Sequence, residues 1–169
     1  FGLMEWGTRH NIRVKISDNG AKQIYTNVDG VYASGGTDLN RALGIVRNYF
    51  TSNQVDNWNL TCSLNYLLVI SDGYWHSHSS VLSVTNQLRQ TYNIKTFAVG
   101  LTSSGSMYND LATAGGTKKP LYASNETELL QKLTDAIKQA ISGRLTFTTP
   151  AVMSDVTKGN FVYQSTFEY

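Results

Sequence analysis

The sequence predicts an α/β fold: a doubly wound, mostly parallel sheet flanked by helices, followed by an extended β tail. Apolar runs of strand length alternate with amphipathic helical segments from about residue 39 to residue 142. Two of those runs, Leu64–Ile70 and Ile94–Leu101, are almost continuously apolar, as strands buried on both faces are. Each ends in a polar loop, Ser71-Asp72-Gly73 and Thr102 to Ser106, and ligands of such sheets bind outside the carboxyl ends of the strands.

The elements follow in order. Gly2 to Trp6 is a short apolar strand, and Asn11 to Ser17 alternates, with Ile12, Val14 and Ile16 on one face. Thr8-Arg9-His10 joins them as a hairpin-like link, and Asp18-Asn19-Gly20 is turn chemistry. Ala33-Ser34-Gly35-Gly36-Thr37-Asp38 breaks structure and starts a helix, with Thr37 as its expected N-cap. Leu39, Ala42, Leu43, Val46, Tyr49 and Phe50 then keep helical spacing and predict one buried stripe. Residues 51–61 read as a polar loop, and Leu64–Ile70 as the central strand. A helix is expected from about Ser80 to Tyr92, with Val81, Val84, Leu88 and Tyr92 on one side. Ile94–Leu101 is the next buried strand, a short helix spans about Met107 to Ala114, and Pro120–Ala123 is a short strand. The closing helix is capped by Asn125 with Glu128 three residues on, and buries Leu129, Leu130, Leu133, Ile137 and Ile141. After Gly143 the pattern turns extended, with Phe161, Tyr163, Phe167 and Tyr169 on one face of the last run.

Composition bounds what the chain can do. At 169 residues it is one domain with a short surplus, large enough to hold a core without staples. Charged residues are 15%, against about 25% in an average domain, and Ser, Thr and Asn supply 48 residues instead. That balance leans toward an extracellular or cell-surface setting. A net charge of +2 without a Lys/Arg-rich run argues against nucleic acid. There is no apolar stretch of 18 residues, so no membrane insertion is expected of this segment. The chain opens Phe1-Gly2-Leu3-Met4 without an initiator Met and is expected to be a fragment or a processed product. Its single cysteine, Cys62, excludes an internal disulfide framework and a Cys-rich zinc site. Cys62 is expected either to be a small buried hydrophobe or to pair with a cysteine upstream of Phe1.

Three motifs in order, Gly35-Gly36-Thr37-Asp38-Leu39-Asn40-Arg41-Ala42-Leu43, then Leu67-Leu68-Val69-Ile70-Ser71-Asp72-Gly73, then Ile94 to Gly100, make residues 1–142 resemble a von Willebrand factor A domain. The resemblance implies a metal-ion-dependent adhesion site at the top of the sheet. In that family it is built from Asp-x-Ser-x-Ser after the first strand, a Thr before a later helix and an Asp after the fourth strand. Thr37 matches that Thr and Asp72 that Asp. The implied cation is Mg2+ or Mn2+, with Ca2+ as a further candidate.

The Asp-x-Ser-x-Ser loop has no match here. Phe1 to Trp6 resembles the segment after it, so the family's first strand and helix are expected upstream of Phe1, and no cation is expected to bind this chain alone. Thr102-Ser103-Ser104-Gly105-Ser106 imitates the missing motif, but it follows the wrong strand and has Thr where the charge is needed. In the family the absent strand lies between those that Phe1–Trp6 and Leu64–Ile70 resemble. Either the Phe1–Ser17 hairpin shifts to pair with Leu64–Ile70, or Phe161–Tyr169 of this or a second copy fills the gap, or a separate upstream piece does.

The tail, Thr146 to Val152 and Gly159 to Phe167, resembles the junction after the A domain in PilY-type tip adhesins of type IV pili. Residues 143–169 are accordingly expected to be a β linker or the start of a following β module. The resemblance implies a bacterial surface protein, pilus-associated, acting in adhesion and pilus biogenesis. Its expected partners are a host or surface ligand with an acidic group, or pilus minor subunits. A structural A domain that binds partners without metal is the alternative.

Enzyme readings are weaker. His76 and His78 lack a third zinc ligand nearby, and Val69-Ile70-Ser71-Asp72-Gly73 is not the nucleophile elbow that a Ser71/His76/Asp72 triad needs. Gly35-Gly36-Thr37 lacks the Lys of a phosphate loop. No catalytic residue is assigned. Trp58, Tyr74 and Trp75 read either as a binding rim or as ordinary loop packing, and Asn59-Leu60-Thr61 and Asn125-Glu126-Thr127 are sequon-like by chance.

Overall fold

The apolar run at the start and the alternating run after His10 close an antiparallel hairpin of β1 (Leu3–Glu5) and β2 (Asn11–Val14). The structure is a computed structural model that describes residues 1–7, 9–31, 35–52, 64–102 and 104–142. Across the hairpin, Arg13 reaches Glu5 at 2.6 Å and its hydrogen bond holds the Glu5 carboxyl below its usual range. Val14 is buried and Ile12 half-buried, as alternation requires, but the strand stops before Ile16, which is exposed. The backbone N–H of Ile16 donates instead to the Tyr49 hydroxyl at 2.9 Å.

Helix α1 (Gly20–Asn27) was not expected from the sequence. Its apolar signal is thin: over residues 21–27 only Ile24 is even half-buried. Its first residue must be glycine, since a Cβ at Gly20 would stand 1.8 Å from the Phe1 carbonyl oxygen. A short 3-10 turn, Val28–Gly30, follows.

Helix α2 (Leu39–Thr51) buries all six residues of its predicted stripe. Its N-cap is Asp38, not Thr37: Asp38 Oδ1 accepts from the Arg41 backbone N–H at 3.0 Å. Two adjacent residues each had the right chemistry for the cap, and the backbone path places the second of them there.

The main sheet is parallel, in the order β3 (Asn65–Ser71), β4 (Ile94–Leu101), β5 (Leu121–Ala123). Seven residue pairs join β3 to β4, from Asn65↔Ile94 to Ser71↔Gly100, and three join β4 to β5. The central strand among the described residues is therefore β4, with six of its eight residues buried. Among the described residues β3, expected at the centre, lies at the edge of this sheet. Of its apolar residues Val69 is buried, Leu67 and Leu68 are half-buried and Ile70 is 36% exposed. The β1–β2 hairpin forms its own two-stranded sheet and does not pair with β3, so the shifted pairing does not occur. The Phe161–Tyr169 tail lies outside the described residues, as do Cys62, Trp58, the 59–61 sequon and the whole of 143–169.

Ile94 and Ala98 of β4 share one core cluster with α2, α3 (His78–Tyr92) and α4 (Ser106–Ala114), while Phe97 and Val99 are buried on the opposite face. Val81 and Leu88 of α3 are buried as predicted, and Thr85 joins them by donating to the Val81 carbonyl at 2.8 Å. Asn93 ends α3 in a left-handed conformation (φ 52°), which turns the chain directly into β4.

Helix α5 (Glu126–Ser142) packs on β5. Its start is as predicted: Asn125 Oδ1 accepts from the Glu128 N–H at 2.9 Å, and Glu128 accepts from the Ser124 N–H at 2.8 Å. Its buried face differs. Ala136 is buried with Leu129 and Leu133 half-buried, whereas Leu130 (67%) and Ile137 (38%) are exposed. The face toward β5 is centred on the 129/133/136 row, which turns the neighbouring 130/137 row outward.

Candidate functional site

The carboxyl ends of β3 and β4 put the loop from Ser71 to Ser77 beside a second one containing Ser104 and Gly105. The Gly35–Asp38 segment is tied to the first of them, because the His76 backbone N–H donates to the Thr37 carbonyl at 3.3 Å. The segments bearing Thr37 and Asp72, far apart in sequence, are thus joined at the same end of the fold. Thr37 is half-buried and Asp72 exposed. Thr37, relieved of capping α2, keeps its hydroxyl for another partner.

The β3–α3 loop is firmly built. Ser71 is buried, and its hydroxyl donates to the Gly73 carbonyl at 3.0 Å while accepting from the Gly73 N–H at 3.3 Å. The Tyr108 hydroxyl, from α4, donates to the Gly73 carbonyl at 2.7 Å and lies 3.2 Å from that of Ser71. These bonds exclude the hydrolase triad: the Ser71 hydroxyl is turned into its own loop, and His76 is an exposed loop residue.

Tyr74 and Trp75, candidates together for a binding rim, separate. Tyr74 is 56% exposed, and its hydroxyl donates to the Ser104 carbonyl at 2.9 Å. Trp75 is buried in the core, edge-on to Tyr108 at 5.1 Å between ring centroids. Neighbours on an extended stretch face opposite ways, so one rim residue excludes the other. The second loop is held in turn by Tyr122, whose hydroxyl contacts the Gly105 carbonyl at 3.3 Å. Gly105 has φ 159° and touches Tyr74 closely: a Cβ there would lie 2.9 Å from the Tyr74 hydroxyl.

His78, the first residue of α3, makes a 3.0 Å contact through Nε2 with Asp110 Oδ2 on α4, so it serves as a strut and not as half of a zinc pair. Among the described residues no group of three or more His, Cys, Asp or Glu side chains could hold a metal ion. Thr37 and Asp72 offer one hydroxyl and one carboxylate. Those hard oxygen donors fit, in kind, a hard divalent cation, Mg2+, Mn2+ or Ca2+, that draws the rest of its shell from water and other oxygens.

Sequence reasoning missed Tyr108, which lies 35 residues from Gly73 and reaches it only because β4 brings α4 beneath the loop. No local signal could have identified it.

A sequence model of the von Willebrand factor type A domain matches residues 1–139. No curated protein matches the sequence. Among solved structures, that of the manganese-loaded Plasmodium vivax TRAP protein is similar to the chain with a TM-score of 0.52 at 18% identity, over 73% of this chain and 51% of that one. The chain therefore spans about half the length of that protein's chain, and at this identity the likeness carries the fold alone. With the family's sequence pattern over most of its length and the parallel sheet to match, the chain belongs to the von Willebrand factor type A domain family.

Proposed function

We propose that the chain is a cell-surface adhesion module, acting in a type IV pilus, that binds an acidic group of a partner or a pilus minor subunit through a cation-dependent site to which Thr37 and Asp72 contribute. Domains of this family are interaction modules that bind partners. The observation that carries the reading is the His76 to Thr37 hydrogen bond of 3.3 Å, which joins the Thr37 and Asp72 segments where the sheet's strands end. The role is binding and not catalysis. Its donor set is incomplete in the described residues, so the reading places the Asp-x-Ser-x-Ser loop on sequence encoded before Phe1. Residues 1–142 are the A-type domain in this reading, and 143–169 lead into a further β module. No helix among the described residues is long and apolar enough to cross a membrane. Bound there, Mg2+ or Mn2+ would supply an open coordination position for a carboxylate.

A second reading, a structural A domain that binds partners without metal, rests on Thr37 and Asp72 supplying a single carboxylate between them. Calorimetry with Mg2+ and Mn2+ separates the two. Residues 1–169 alone are expected to show no micromolar affinity. The protein carrying its preceding residues is expected to bind, and Asp72→Ala to abolish that binding. Unchanged binding in Asp72→Ala removes Asp72 from the site, and no binding in the longer protein leaves the structural reading.

A further inference from the structure

We propose that Tyr108 is the positioning residue of the site, fixing the backbone on both sides of Asp72 so that its carboxylate is presented in one orientation. This rests on the reading of Asp72 as a binding residue. The geometry is specific. The Tyr108 hydroxyl has a single proton, which it gives to the Gly73 carbonyl at 2.7 Å with the Ser71 carbonyl 3.2 Å away, so one buried group bridges the residues that flank Asp72. Tyr108 is fully buried and cannot swing off its target. Trp75 at 5.1 Å, Tyr122 at 6.0 Å and Tyr74 at 6.4 Å, measured between ring centroids, surround its ring. Ser71 adds the reciprocal pair of bonds with Gly73, so the loop is closed from above by its own serine and from below by the tyrosine.

A group that merely filled the core would need no hydroxyl at this point, and phenylalanine would serve. The hydroxyl instead serves the Gly73 carbonyl, which lies beyond the last pair of the β3–β4 ladder, Ser71↔Gly100. Holding the backbone on both sides of a binding side chain in advance cuts the ordering cost of taking up a ligand. Tyr108 thus transmits the rigidity of α4 and of β4 to the backbone that carries Asp72.

Tyr122 provides the control, since its hydroxyl belongs to the same aromatic cluster and contacts Gly105, not the Asp72 loop. In full-length protein without cation, hydrogen exchange is measured at the amides of Asp72, Gly73 and Tyr74 for wild type, Tyr108→Phe and Tyr122→Phe. Mn2+ affinity is measured by electron paramagnetic resonance on the same three proteins. Tyr108→Phe is expected to speed exchange at those amides about tenfold and to weaken Mn2+ about tenfold, leaving the amides of Ile94–Leu101 as protected as before. Tyr122→Phe is expected to change neither. Wild-type exchange at Asp72–Tyr74 in Tyr108→Phe, or an equal loss in Tyr122→Phe, overturns the proposal. If wild type itself shows no Mn2+ binding, the cation reading falls, and the exchange comparison alone decides the role of Tyr108.

Discussion

Thr37 and Asp38 stand side by side at the start of α2, and the structure divides their labour in a way that two substitutions can separate. Asp38 Oδ1 accepts from the Arg41 N–H at 3.0 Å and so satisfies one of the helix's unpaired amides. Removing such a cap costs about 1 kcal/mol, within a range of roughly 0.5–2. An acidic group at the N-cap also favours the helix dipole by a few tenths of a kcal/mol at an exposed position. Asp38→Ala is therefore expected to lose about 1–1.5 kcal/mol, a fall in Tm of roughly 2–6 °C for a domain of this size. Thr37 makes its structural contact through its backbone carbonyl, which accepts from His76, and alanine keeps that carbonyl. Thr37→Ala is expected to cost no more than about 0.5 kcal/mol. Urea unfolding at constant m measures both. The partition matters for function, because any loss of cation binding in Thr37→Ala can then be assigned to the hydroxyl and not to a frayed helix. If Thr37→Ala loses as much stability as Asp38→Ala, Thr37 is the cap, and its hydroxyl is not available for a ligand.

Two further expectations rest on α5. Hydrogen bonds from the Ser124 backbone N–H and, next, its hydroxyl lower the Glu128 pKa from 4.5, so this contribution to stability is complete above the unfolded value and disappears as pH falls through the folded one. Glu128→Gln is expected to flatten that acid limb of the unfolding curve, and an unchanged limb refutes the assignment. Ala136→Glu, which places a charge at a residue 1% exposed, is expected to cost more than about 3 kcal/mol, whereas Leu130→Glu at 67% exposure is expected to stay within about 0.5 kcal/mol. Chemical denaturation of both variants checks the orientation of the helix, and the reverse order would restore the row containing Leu130 as the packed face.

How far the sequence could be read depended on whether a feature was local. The α2 stripe was fully legible because six apolar residues at helical spacing allow one face and no other. β4 was legible to the residue, as was the Asn125/Glu128 start of α5, because both signals are complete within a few positions. The rank of a strand within its sheet is not local. Leu64–Ile70 is the more apolar of the two main runs, yet apolarity reports burial in general and does not count hydrogen-bonded neighbours. α1 carries too few buried side chains to be seen. On α5 the small residue Ala136 marks the packed face, and a search for large apolar residues passes over it. The candidate site divides on the same principle. Thr37 and Asp72 were named from motifs, while the bonds that join and fix their loops are made by His76 and Tyr108 across the fold.

Two of the contacts that fix this end of the fold originate in α4. Tyr108 faces inward and holds the carbonyls beside Asp72, and two residues later Asp110 meets His78 at the start of α3. The span from Asp72 to His78 is therefore gripped at both ends by one short helix, while its middle is fastened to the α2 segment through His76. Within that span Ser77 takes a left-handed conformation (φ 55°, ψ 44°) without a side-chain capping bond. A residue with a Cβ pays about 1–2 kcal/mol for that conformation, and it persists where the surroundings over-determine the chain. The clamp supplies that over-determination: with Gly73 and His78 both fixed to α4, the intervening backbone has too little slack to relax Ser77. A loop held in this way keeps Asp72 exposed on a restrained backbone, the combination that the cation-binding role proposed for it calls for.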